Sequence, residues 1–185
     1  MYNLKTKEKK LVKEQIIPSG HDSKNYIVER LECVSHDGRK VPITLTRHKN
    51  TPTDGSAHLL LYGYGSYGTS MEASFSSTRL SLINRNIIWA TAHIRGGMER
   101  GMKWWKEGKL LNKKNTFKDY IYAANFLINK KYTSKGKIIG MGGSAGGLLM
   151  GVVANEAPDL FLGIVMAVPF VDCLTTNLDH SLPLT

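Results

Sequence analysis

The sequence predicts an α/β fold with a doubly wound, mostly parallel sheet. Three observations carry this reading: unbroken apolar runs of strand length, helical apolar spacing between them, and a glycine-flanked serine where one such run meets the next helix. At 185 residues and 42% hydrophobic content the chain can bury one core.

Through about Asn25 the chain is a polar arm without core-forming periodicity. Tyr26 to Val34 and Val41 to Thr46 then read as two antiparallel strands at the sheet edge. Between them lies the turn His36-Asp37-Gly38-Arg39, whose Asp-Gly pair is a strong hairpin signal. A loop with Pro52, Asp54 and Gly55 leads to Ala57 to Tyr62, an apolar run of the kind buried on both faces of a parallel sheet. Thr78 to Arg85 is expected as a helix with Leu80, Leu82 and Ile83 inward, and Asn86 to Ala92 as the next buried strand.

From Asn115, read as an N-cap, a helical pattern (Phe117, Tyr120, Ile121, Ala124, Leu127) runs to Lys130-Lys131. The strand Lys137 to Met141 ends in Gly142-Gly143-Ser144-Ala145-Gly146, a helix continues to about Asn155, and Gly163 to Val168 is expected as a further buried strand. This alternation implies a parallel, doubly wound sheet. There is no internal repeat.

Gly-x-Ser-x-Gly between a strand and a helix is a nucleophile elbow. The sharp turn lifts the serine hydroxyl above the sheet and demands small neighbours, here Gly142 and Gly146. Ala145 follows the serine, and its backbone N–H at the helix start faces a forming oxyanion with the helix dipole behind it. A plain glycine-rich turn or a phosphate cradle would leave the same glycines. The strand-like Ile138-Ile139, the helix-forming Leu148-Leu149-Met150 and the lack of a Gly-Lys-Ser/Thr ending decide for the elbow.

The net charge of +10 raises nucleic-acid binding, but the lysines fall in separate segments (5 to 13, 109 to 118, 130 to 137) with no RNA-binding aromatic signature or zinc spacing, so no nucleic-acid partner is expected. No membrane association is expected either, because no apolar stretch reaches spanning length and the N-terminus lacks an apolar signal core. Cys33 and Cys173 read as reduced thiols. The expected location is the cytoplasm. No metal or cofactor is called for.

Four ordered blocks, Leu61-Tyr62-Gly63-Tyr64-Gly65-Ser66-Tyr67-Gly68, His93-Ile94-Arg95-Gly96-Gly97, Gly108 to Phe117 and Met141 to Gly147, resemble the prolyl oligopeptidase family. The endings Val168-Pro169-Phe170-Val171-Asp172 and Leu182-Pro183-Leu184-Thr185 are similar to its oligopeptidase B (protease II) branch. The resemblance implies a β-propeller joined to an α/β-hydrolase domain, and a serine peptidase cutting short peptides after Lys or Arg. Residues 1–25 would be a propeller-strand remnant and hinge linker, and 26–185 the N-terminal part of the catalytic domain, its sheet incomplete at the C-terminal side.

Residue by residue, Ser144 matches the nucleophile. Tyr64 matches a tyrosine whose hydroxyl joins the Ala145 N–H in the oxyanion hole; one such donor is worth ~3 kcal/mol. Without the resemblance Tyr64 would read as a packed loop aromatic. The family's Asp and His would both lie beyond Thr185, leaving a truncated chain of little activity, or half of a split peptidase completed by a second chain. A non-catalytic peptide- or protein-binding module on the same scaffold is a further reading. A substitute triad of Ser144, Asp172 and His180 has the right chain order. A solvated loop His180 is the better reading. His93 is expected to be structural, and Arg95 and Glu99 to form internal salt bridges.

Overall fold

The structure, a computed structural model, describes residues 1–18 and 20–183. Leu184 and Thr185, which close the last block of the resemblance, lie outside the described residues.

Residues 1–18 are almost entirely exposed and fold back on themselves through a bridge between Tyr2 and Lys9. The chain enters the domain at a short 3-10 turn, Ser23–Asn25, capped by the Asp22 carboxylate. Strands β1 (Tyr26–Val34) and β2 (Lys40–His48) form the expected hairpin. Its turn closes with the Ser35 N–H donating to the Arg39 carbonyl at 2.8 Å, and Gly38 takes the left-handed φ of +81° that a side chain would resist. Of these two strands only β1 lies at an edge of the sheet, since β2 also pairs antiparallel with the later strand Ile88–Ala92.

The remaining elements are β3 (Leu59–Tyr62), α1 (Ser77–Ile83), β4 (Ile88–Ala92), α2 (Met102–Lys106), α3 (Lys114–Asn129), β5 (Ile138–Gly143), α4 (Ala145–Glu156), β6 (Phe161–Ala167) and α5 (Cys173–Leu178). The sheet runs β1-β2-β4-β3-β5-β6, and the last four of these strands in sheet order are parallel. After β3 the chain first builds β4 on one side and later β5 on the other. The carboxyl ends of β3 and β5 are therefore neighbours at a switch point, the place where open α/β sheets form clefts.

Helix α1 packs over the face carrying Thr44, Thr46, Trp89 and Thr91. The opposite face, with Ile43, Leu45 and Ala90, is buried under α3 and α4 through Tyr120, Leu127, Leu149 and Val153. Helix α3 starts at Lys114 without a side-chain cap, so Asn115 is not its N-cap. The 3-10 turn Leu110–Asn112 feeds straight into the helix, and the Asn115 amide instead donates to the Glu107 carbonyl at 3.0 Å. Strand β6 departs from expectation in burial: Leu162, Val165 and Met166 are exposed, and nothing among the described residues pairs with its outer edge.

Candidate active site at the turn from β5 to α4

Ser144 occupies the single-residue turn between β5 and α4 with φ 53° and ψ −118°. A non-glycine residue in that region is strained, and such strain persists only where the surroundings fix it. Backbone hydrogen bonds fix it on both sides. The Ser144 N–H donates to the Ala167 carbonyl at 2.9 Å, and its own carbonyl accepts from the N–H groups of Gly147 at 2.8 Å and Phe170 at 2.9 Å. The segment leaving β6 thus clamps the serine's backbone.

The elbow glycines are required by contact. A Cβ on Gly142 would collide with the Gly146 carbonyl oxygen, and one on Gly146 would stand 2.9 Å from the Gly63 oxygen. Pro169 lies equally tight against Gly147. Ala145 is buried as the first residue of α4, a position whose N–H has no intrahelical acceptor.

Tyr64 arrives from the neighbouring strand. Tyr62 of β3 pairs with Met141 of β5, and the Gly63 N–H donates to the Met141 carbonyl at 3.1 Å, so the residue after Gly63 emerges beside the elbow. Its ring lies along the first turn of α4, with Cδ2 3.3 Å from where a Gly146 Cβ would be. Burial, with lesser contributions from the Tyr67 and Tyr62 phenols, holds its hydroxyl above the usual tyrosine range. At neutral pH the group is a protonated O–H, the form that donates to a developing oxyanion. Neither the Ser144 nor the Tyr64 hydroxyl has a protein hydrogen-bond partner among the described residues.

The proposed replacement partners are not assembled. The Asp172 carboxylate caps α5 by accepting the Thr175 N–H at 3.2 Å, while His180 is exposed and bonded to neither Asp172 nor Ser144. A capping aspartate is held in the direction of its own helix. His93 is buried, its Nε2 paired with the Thr44 hydroxyl at 2.8 Å and its carbonyl accepting from the Trp104 indole at 3.0 Å, a structural placement. Glu99 accepts the Met71 N–H at 2.9 Å and stands 3.5 Å from the His93 Nδ1.

Arg95 forms the expected salt bridges, and its partners are Asp119 and Asp37. Its Nε and Nη2 donate to the two Asp119 oxygens at 2.8 and 2.6 Å, and Nη1 donates to Asp37 at 2.5 Å. The Ser35 hydroxyl adds a bond to Asp119 at 2.6 Å. Asp119 was legible only as an anomaly, a carboxylate between Phe117 and Tyr120 on the core-facing side of α3.

The sequence of the prolyl oligopeptidase family matches residues 73–185. The chain belongs to that family. Among members of the family, it is similar to Dipeptidyl aminopeptidase BI of Pseudoxanthomonas mexicana, with 48% identity over 184 residues, covering 99% of this chain and 25% of that protein. It is similar also to Protease 2 of Moraxella lacunata, 46% identical over 183 residues, 99% of this chain and 26% of the other. Oligopeptidase B from Trypanosoma brucei, in a closed form with covalently bound antipain, superposes with a TM-score of 0.93 at 43% identity, over 100% of this chain and 26% of that one. The chain spans about a quarter of the length of these curated relatives. Among the described residues no helix is long and apolar enough to cross a membrane.

Proposed function

We propose that this chain carries the nucleophile half of a serine-type oligopeptidase of the oligopeptidase B kind, with Ser144 as nucleophile and the Tyr64 hydroxyl and Ala145 N–H as oxyanion donors. The observation that carries it is Ser144 locked at φ 53° on the elbow with Tyr64 alongside. Attack by the Ser144 oxygen on a peptide carbonyl puts negative charge on the carbonyl oxygen, and donors already in place stabilise that charge without reorganising. A serine becomes a nucleophile only when a base takes its proton. Since no described histidine reaches Ser144, the base and its orienting carboxylate come in this reading from polypeptide outside these 185 residues, in the same chain or a second one.

Short peptides with Lys or Arg before the scissile bond are the proposed substrates, supported by likeness to Protease 2 and oligopeptidase B. The proposed location is the cytoplasm, in keeping with the two free cysteines, Cys33 and Cys173. Residues 1–25 act as linker and 26–185 as part of the catalytic domain.

Intact-mass detection of a fluorophosphonate adduct tests the reading, with Ser144→Ala as control, on the chain alone and after adding extract from the source cell. A Ser144-dependent adduct that needs the extract supports completion by a second polypeptide. An adduct on the chain alone would mean that the base lies within these residues. No adduct in either case on a folded sample, with peptide binding unaltered in Ser144→Ala, would favour a non-catalytic binding module.

A further inference from the structure

The loop that presents Tyr64 is costly to hold. Gly65, Tyr67 and Gly68 have φ of 69°, 58° and 69°, three left-handed residues in four, and a segment of this kind keeps one shape only when its surroundings impose it. One tether is the Gly68 N–H, which donates to the Gly96 carbonyl at 2.9 Å. The other is Lys113. Its ammonium donates to the Gly65 carbonyl at 2.6 Å and to the Ser66 hydroxyl at 2.8 Å, gripping the two residues directly after Tyr64.

Most else about Lys113 is unfavourable. It stands at the N-cap of α3, where the helix dipole repels a cation, and it provides no cap. It is largely withdrawn from water, yet no carboxylate among the described residues pairs with it. Besides the two acceptors it faces the Phe117 ring of its own helix, 5.9 Å away. The neighbouring Lys109 ammonium is turned onto Trp105, and the titratable groups of the gripped loop are the Tyr64 and Tyr67 phenols. A residue that breaks local rules without local compensation is expected where function needs it.

We propose that Lys113 is a positioning residue for Tyr64, fixing the oxyanion-side loop against the start of α3. The assignment rests on the reading of Tyr64 given above. Lys113 touches neither Ser144 nor any reacting atom and acts through the loop alone.

The test is ¹⁹F NMR of the 185-residue chain labelled with 3-fluorotyrosine, the Tyr64 line being assigned by its loss in Tyr64→Phe. In Lys113→Met the Tyr64 line moves or broadens while that of Tyr132, at the far end of α3, does not; in Lys113→Arg, which restores a cationic donor, the Tyr64 line returns toward its original position. A Tyr64 line indifferent to Lys113→Met overturns the proposal. Should Lys113→Met fail to fold, Lys113→Gln, which is uncharged and shorter, is read the same way: its Tyr64 line moves or broadens while that of Tyr132 does not, and an unmoved Tyr64 line overturns the proposal. If instead Tyr64→Phe leaves fluorophosphonate labelling unaltered, the oxyanion role of Tyr64 falls and the NMR result stands by itself.

Discussion

Strands β3 and β6 are both short, apolar and parallel, and they meet opposite fates. Leu59, Leu60 and Leu61 are 0%, 6% and 0% exposed, whereas Leu162, Val165 and Met166 are 59%, 44% and 45% exposed. An apolar run encodes the capacity for burial, and neighbours supply it. Strand β3 has a partner on each side and helices over the sheet, while β6 has one partner and an open edge, and Val171, Leu174 and Leu178 after it are exposed as well. Exposed parallel edges invite association with further polypeptide. The elbow lies between these two regions: β5 is anchored to β3, and the clamp on Ser144 comes from the end of β6.

The comparison breaks first if the buried side is weaker than described. Asp119→Ala removes the main partner of Arg95, which is 1% exposed, and is expected to cost about 3–5 kcal/mol in urea unfolding because it leaves a buried guanidinium with the partly exposed Asp37 as its one remaining carboxylate. A loss below about 1 kcal/mol would show that the network contributes little.

Truncating the two strands tests it directly. Leu61→Ala is expected to cost about 2–5 kcal/mol and Leu162→Ala under about 0.5 kcal/mol. Equal losses would contradict the contrast. A third measurement addresses association alone: Val165→Lys on β6 should reduce concentration-dependent oligomers in light scattering while moving the urea midpoint little. A large drop in stability would instead place Val165 in a packed environment.

A pH dependence from Lys113 sharpens the comparison from a different side. Its folded value of about 8 lies below the unfolded lysine value of about 10.4, so the folded state is the poorer proton binder. Below pH 8 both states carry the charge and folding bears the whole burial cost. Between about 8 and 10.4 only the unfolded chain is charged, and this contribution to stability rises with pH. Relative to Lys113→Met, the unsubstituted chain should gain in urea midpoint between about pH 7.5 and 9.5; a constant difference would contradict the shift.

Much of the site was legible because elbow chemistry is local. Gly142, Ser144 and Gly146 sit within five residues, and the clash that requires Gly142 arises within that one turn, although Gly146 is required by Gly63 at the end of β3. Tyr64 was reached by resemblance, since nothing in a tyrosine between two glycines announces a hydroxyl donor. Lys113 and Asp119 were missed because each acts across the fold, on a loop 47 residues away in one case and on an arginine 24 residues away in the other. The Asn115 cap was misread because a preceding 3-10 turn, which no periodicity announces, supplied the entry to α3.

By itself the sequence determined the element order, the hairpin at Asp37-Gly38 and the strained serine, since each depends on side-chain size and period within a few neighbouring residues. Only the tertiary structure decided that β5 lies beside β3, bringing Tyr64 against the first turn of α4, that Asp172 caps a helix and leaves His180 alone, and that β6 stays open. Those outcomes depend on which strands become neighbours. That choice is made by packing summed over the whole sheet, which no local window of sequence contains.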